Sequence, residues 1–418
     1  MRLLFVAHRV PDRPAKGDKI RAWHELRALA ARHEVHLFAL DDRPPGADGD
    51  PGPAGAPPEW AREVASATVV PLRGCTPALR MLRAAIFGGA ITAAHFAAPA
   101  LVRALASARA GRRFDGAVVY SGAMDPLLHG FRPRVVDLVD VDSEKFRLYH
   151  ELRTVGGLRR LACGLEWRRL RALERRACEE ADATVVCTAA EAATLREFAA
   201  PRRLEVIGNG VDAAAFPFAD GGGRAAGEIL FVGALDYPAN VDACRRLVDE
   251  VLPRVRRTAA GARVTLVGSA PVAAVRQLAG RPGVALHADV ASVVPFLQRA
   301  TLALLPLRVA RGVQNKALEA LASGLPLVAS REAARGLEGS EGREWLAGGD
   351  ADELAAAAVR VLGDAALRDR LARAGRALVD SRYAWSALLG RFVSLVEEVA
   401  SGPLPRAAVS GATQGAAP

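Results

Sequence analysis

Arg311 to Ser330, RGVQNKALEALASGLPLVAS, holds the signature of one kind of fold within a single short stretch. A glycine turn at Gly312 leads into a helix whose apolar face is Ala317, Leu318, Ala320 and Leu321. Gly324 and Pro326 stop that helix, and Leu325 to Ala329 is a short run with no polar residue. A strand that is apolar on both faces must be covered on both faces, which is the situation of a parallel sheet with helices above and below. The segment is therefore a helix–strand unit of an α/β domain.

The unit recurs along the chain. Strands are predicted at 3–7, 35–40, 68–71, 116–120, 135–139, 184–187 and 204–207, then at 229–232, 263–267, 284–287, 302–305 and 327–329, with amphipathic stretches between them. Alternation of this kind predicts two Rossmann-like, doubly wound α/β domains that face each other across a cleft. The first covers 1–212. A linker covers 213–227, where ADGGGRAAG breaks the pattern, and the second domain covers 228–382. An apolar-faced helix within 383–400 is expected to cross back to the first domain, and 401–418 reads as a disordered low-complexity tail. Asp41 to Pro58 is rich in Pro, Gly and Asp and reads as a poorly ordered loop.

Composition limits the partners. Net charge is +10, which suits nucleic acid, an anionic membrane or anionic small substrates. No nucleic-acid motif, zinc-like Cys/His spacing or basic tail is present in the sequence, which argues against the first. The five cysteines are scattered and odd in number, so a reducing cytoplasm is expected rather than a disulfide framework. MRLLFVAHRVPD has too short an apolar core for a signal peptide and makes a better first strand. Ala84 to Val102 is long enough to span a membrane but is mostly Ala and Gly with His95 and Pro99, so surface helices are expected. Arg153 to Arg176 contains eight arginines against two glutamates. It reads either as a basic helix lying on anionic lipid or as a solvated face with Glu–Arg pairs.

Several loops carry side chains suited to chemistry. Gly312 followed by unpaired helix N–H groups suits a phosphate, with Val313, Gln314, Asn315 and Lys316 at that mouth. One turn on, Glu319 is placed to accept hydrogen bonds from ribose or sugar hydroxyls. Gly233 in FVGALDYPAN and Gly268 in VGSAP end strands of the second domain, Asn240 opens the helix after the first of them, and all three would face a nucleotide; the plainer alternative is capped strand-to-helix turns. In the first domain, His8, Gly17, Lys19 and Arg21 follow the first strand, and Asp140, Asp142 and Ser143 follow the fifth. A carboxylate there would orient an acceptor hydroxyl or act as a base, while Asp142 or Ser143 would equally serve as a helix cap. All four lysines of the chain, Lys16, Lys19, Lys145 and Lys316, fall in these loops, which sets them apart from the many arginines used for surface charge.

Taken together, the NGVD hinge, FVGALDYPAN, VGSAP and GVQNKALEALASGLPLVAS resemble, in order, a retaining GT-B glycosyltransferase of family 4. PAKGDKIR, DVDSEKF and RGVQNKALEA are further similar to the sugar transferases associated with PEP-CTERM/exosortase exopolysaccharide clusters. The resemblance implies transfer of a sugar from a nucleotide diphosphate sugar to a saccharide or lipid-linked saccharide, with retention and without a metal or other cofactor. It implies a cytoplasmic protein, peripheral on the inner face of the plasma membrane. It assigns Lys316 and the Gly312–Lys316 backbone to the leaving group, Glu319 to the ribose, and Asp142 and Ser143 to the acceptor side. The chain departs from the family at Arg311, where members usually carry a glutamate, and in Ala234 to Ala239, which lacks the usual phosphate-binding base. Arg311 and Lys316 are the expected replacements. A nucleotide-sugar epimerase on the same frame and a non-catalytic saccharide-binding subunit are the rival readings.

Overall fold

The computed structural model describes residues 1–11, 17–41, 59–72, 76–151 and 157–402. Lys16, most of the Asp41–Pro58 loop, Arg153 and the tail beyond 402 lie outside the described residues.

The first seven strands are β1 (Arg2–Ala7), β2 (Glu34–Asp41), β3 (Ser66–Pro71), β4 (Gly116–Tyr120), β5 (Arg134–Val139), β6 (Ala183–Val186) and β7 (Leu204–Val206). They form one sheet in the order β3-β2-β1-β4-β5-β6-β7, with every pairing parallel. The second sheet uses β8 (Glu228–Val232), β9 (Arg263–Gly268), β10 (Val284–Ala288), β11 (Leu302–Leu305), β12 (Leu327–Ser330) and β13 (Leu346–Gly348). Its order is β10-β9-β8-β11-β12-β13, again all parallel. Strand order reverses between β1 and β4 and between β8 and β11. In open sheets of this kind ligands bind at the carboxyl edge beside such a reversal.

The apolar runs do what their composition requires. Leu3, Leu4, Phe5, Val6 and Ala7 are fully buried, as are Leu302, Leu304, Leu327, Val328 and Ala329. Helices cover both faces of the first sheet. Trp23, Leu26 and Leu29 lie on one side with Phe392 and Val396, and Leu101, Leu105, Met124 and Leu195 lie on the other. Phe392 belongs to the Trp385–Ser401 helix, so the end of the chain returns to complete the core of the first domain.

The two crossings between domains touch each other. Val211 pairs with Ala384, and the Val211 amide donates to the Tyr383 carbonyl at 2.9 Å. The Trp385 ring lies 4.4 Å from His24 and closes over Gly210, where an added Cβ would meet it at 2.6 Å. Each strand read from the sequence is present within one or two residues of its expected ends, and β13 is the addition. The Ala84–Val102 stretch divides among three helices, Thr76–Phe87, Ile91–Phe96 and Pro99–Gly111. Among the described residues no helix is long and apolar enough to cross a membrane.

Candidate active site

The second domain supplies a glycine floor with one half-buried lysine above it. β8 and β9 end in Gly233 and Gly268, and a Cβ added at Gly268 would fall 1.7 Å from the Gly233 carbonyl oxygen. The bare Gly268 lets these loops run against each other, and the bare Gly233 leaves room for Asn240. The Pro238–Arg245 helix opens with proline at its first position and sets Asn240 facing back over the loop. The Asn240 Nδ2 donates to the Ala234 carbonyl at 2.8 Å, while its Oδ1 accepts from Lys316 Nζ at 2.5 Å. Lys316 also lies 5.0 Å above the Phe231 ring and would be 3.2 Å from a Cβ at Gly233. Asn240, Phe231 and the absence of a side chain at 233 thus fix where this ammonium stands.

Burial lowers the Lys316 pKa to about 8 and raises that of Glu319, one turn along the Asn315–Ala322 helix, to about 7. Each of the two opposes the other's shift, and burial still dominates both. Such a pair, one side chain able to meet a diphosphate and the other to meet hydroxyls, is what an anionic sugar-bearing ligand needs.

The helix mouth is held open by a turn. Gly312 adopts φ +59°, and the Gln314 Nε2 donates back to the Arg311 carbonyl at 2.9 Å. Val313 is buried, and Asn315 accepts from Asn209 Nδ2 of the interdomain crossing at 3.3 Å. A Cβ at Gly312 would lie 1.9 Å from Asp140 Oδ1 and 2.7 Å from Cys187 Sγ, so this glycine is where the two domains meet. Asp140 accepts from Cys187 Sγ at 2.9 Å; burial, with Glu191 adding repulsion, pushes its pKa up to about 6.

On the first-domain side the expected residues divide into two groups. Asp140, Asp142 and Lys145 gather at the carboxyl end of β5, with Lys145 Nζ donating to Asp142 at 2.5 Å. Against the effect of desolvation, Asp142 and then Tyr237 of the opposite domain hold the Lys145 pKa above its ordinary value. His8 lies over Tyr120 in parallel stacking at 5.9 Å and edge-on to Phe96 at 5.2 Å. Gly17 begins its helix and Lys19 is half-buried on the first turn.

Three residues stand elsewhere than expected. Ser143 is fully buried, and its Oγ donates to Glu174 at 2.5 Å while Glu174 also accepts the Ser143 amide at 3.1 Å, so the hydroxyl faces the Gly157–Glu180 helix and not an acceptor. Arg21 is likewise buried. It pairs with Asp137 at 2.7 Å and Glu25 at 2.8 Å and donates to the Ile207 and Gly208 carbonyls, bracing β5 against the crossing. Arg311 turns away from the glycine floor to meet Glu191 at 2.8 Å, with both side chains almost entirely buried.

Glu191 is the residue that sequence reasoning missed. The string Thr188-Ala-Ala-Glu191 is a capping box, and the Thr188 hydroxyl does accept the Glu191 amide at 3.0 Å. The carboxylate instead gathers the Val141 amide at 2.8 Å, the Gly312 amide at 3.3 Å and the Arg311 guanidinium. The local pattern of Glu191 marks only a cap, and its other partners come from β5's carboxyl end and the facing domain.

Residues 226–364 match the family described as Glycosyl transferases group 1, and residues 142–215 match the family described as Glycosyltransferase Family 4. Glycogen synthase from Mycobacterium tuberculosis is 33% identical over 234 residues, which are 53% of this chain and 55% of that protein. The chain thus spans about half the length of the curated relatives it matches. Among solved structures, sucrose-phosphate synthase from Thermosynechococcus elongatus superposes with a TM-score of 0.70 at 17% identity, over 95% of this chain and 99% of that one. Anabaena HepE, solved in complex with UDP-glucose, gives 0.64 at 15% identity, over 95% and 100%. At such identities the structural likeness establishes the fold. With the two sequence matches laid on that fold, the chain carries glycosyltransferase domains on a two-domain GT-B frame.

Proposed function

We propose that the protein is a glycosyltransferase that moves a sugar from a nucleotide diphosphate sugar to a saccharide or lipid-linked saccharide, with retention of configuration, in exopolysaccharide assembly. The observation that carries this is Lys316, held by Asn240 over the Gly233 and Gly268 floor at the mouth of the Asn315–Ala322 helix, with Glu319 one turn beyond. The diphosphate would sit at that mouth, its growing negative charge met by Lys316 and the Gly312–Lys316 backbone. Glu319 would hold the ribose, and Gln314 and Asn315 would line the donor side. Asp140, Asp142 and Lys145 would face the acceptor. Closure of the two domains would exclude water and protect the donor from hydrolysis. Similarity to HepE, whose solved complex contains UDP-glucose, supports a nucleotide-sugar donor. The DVDSEKF and RGVQNKALEA strings support the exopolysaccharide setting. A protein of this kind would work at the inner face of the plasma membrane, and no metal ion enters the scheme.

The test is incubation with a panel of nucleotide diphosphate sugars, read by thermal unfolding and by nucleotide release on adding acceptor saccharide. A donor at 100 times its Kd would stabilise the fold by about 2.7 kcal/mol. Absence of stabilisation by every nucleotide sugar would sink the proposal. Conversion of the donor alone into a different nucleotide sugar would point to an epimerase, and saccharide binding without nucleotide binding to a non-catalytic subunit.

A further inference from the structure

Large apolar side chains exposed to water are concentrated on two helices. Thr76–Phe87 turns Leu79, Leu82, Ile86 and Phe87 outward, 58%, 57%, 66% and 79% exposed. The first half of Gly157–Glu180 turns out Leu158, Leu161 and Leu165, 89%, 60% and 47% exposed. Both sets follow the i, i+3, i+7 spacing of a single helix face, the spacing that elsewhere in this chain faces a core. The helices are tied together where the stripes approach. Arg169 donates to the Ala84, Ala85 and Gly89 carbonyls at 2.9 to 3.3 Å, capping the first helix, and Glu166 accepts the Ile91 and Thr92 amides at 2.8 Å. The end carrying Ile86 and Phe87 therefore abuts the stretch of helix one turn after Leu165.

Charge accompanies the apolar stripes. Thr76–Phe87 contains Arg80 and Arg83 and no acidic residue, and Arg160 and Arg168 are exposed along the partner stripe. Deeper on that helix Arg171 and Arg176 are engaged with the protein's own side chains. Arg171 lies 4.4 Å over Phe198, and Arg176 pairs with Glu180 at 2.7 Å. The helix starts well away from the first sheet, because Glu174 already meets Ser143 at the carboxyl end of β5. At 1.5 Å per residue Gly157 stands about 25 Å further along the helix axis. The ridge so formed rises from the acceptor rim of the cleft.

We infer that the Thr76–Phe87 and Gly157–Glu180 helices together form a docking ridge for an anionic phospholipid surface, the leucines and Phe87 entering the acyl boundary and Arg83 and Arg160 meeting headgroups. An apolar stripe rimmed by arginine, with the acid at the junction, Glu166, buried, matches that surface in both its layers. The inference deepens the lipid-linked reading of the acceptor, but it is measured without donor or acceptor, so either can fail alone.

The test is flotation of the full chain with phosphatidylglycerol–phosphatidylcholine vesicles and with pure phosphatidylcholine vesicles, at low and high salt. The chain should float with the anionic vesicles and largely stay behind with the neutral ones. Leu79→Ser/Leu82→Ser/Ile86→Ser/Phe87→Ser should abolish flotation while the thermal midpoint and nucleotide binding stay unchanged, since all four side chains face water. Arg83→Glu/Arg160→Glu, which removes no packing, should weaken binding at least about fivefold per site at low salt. Equal binding to both vesicle types, or full binding by either variant, overturns the inference. So does a dimer seen by light scattering that the serine variant dissolves, which would make the ridge a contact between copies of the chain.

Discussion

Lys316 shows how burial can be used at a single residue. The folded chain lowers its pKa from 10.5 to about 8, so below about 8 the ammonium is carried at a cost in stability. That cost fades as pH rises from about 8 to 10.5, where folded and unfolded lysine are both neutral. A diphosphate at the same place favours the charged form, so its binding should take up a proton just above pH 8. UDP affinity should accordingly fall as pH rises through that value, and calorimetry in buffers of different ionisation heat should show proton uptake. Lys316→Arg should bind with a flat profile over the same range, and a wild-type profile equally flat would remove Lys316 from the diphosphate. Arg21 makes the opposite case. Arg21→Met leaves Asp137 buried without its guanidinium and should cost about 3–5 kcal/mol in urea unfolding. A change of under about 1 kcal/mol would mean that the buried Arg21 charge adds little net stability over an apolar side chain. In the sequence both residues look alike, a basic side chain four residues after a glycine at the start of a helix. The difference comes from where the sheet places them, Arg21 under β5 and Lys316 at the edge of a cleft.

At the scale of elements, the start of the Asp142–Glu151 helix depends on Glu174. Burial raises its pKa from 4.5 to about 8, so the folded protein holds a proton there that the unfolded chain has lost. The folded state binds more protons across that interval, and stability should decline as pH rises from 4.5 to about 8. Glu174→Gln keeps the shape and neutrality of the protonated acid and should remove this decline, as followed by urea midpoints across the same pH range. A slope unchanged by the substitution would assign it to other groups. Helix and strand positions were largely legible because the chain repeats one device, an apolar run buried on both faces followed by an amphipathic stretch. β13 was not, since Leu346-Ala347-Gly348 has little of its own to mark it and becomes a strand by pairing with β12. Ser143 was legible as the start of a helix, but not as a residue whose hydroxyl is held by a glutamate thirty-one positions away.

At the scale of the molecule, Glu191 and Arg311 join the domains beside Gly312. Glu191→Gln leaves a buried guanidinium unpaired, and loss of one partner from such a pair costs about 3–5 kcal/mol. Because this cost is relieved when the domains separate, the variant should show a larger radius of gyration in solution scattering and weaker UDP binding. Glu191→Gln/Arg311→Gln should recover part of both, and strictly additive effects would mean that the pair does not hold the domains. The sequence by itself determined the α/β class, two parallel sheets and the glycine-bounded loops at their carboxyl edges, because periodicity, burial and glycine freedom are local properties of the chain. Only the tertiary structure decided which of the charged residues at those edges face the cleft. Arg311 and Ser143 turned to carboxylates brought by distant helices, Lys316 was left above the glycine floor, and two leucine stripes found no core to enter. Those outcomes depend on electrostatics and packing between elements far apart in sequence, and no single stretch of the chain contains both partners.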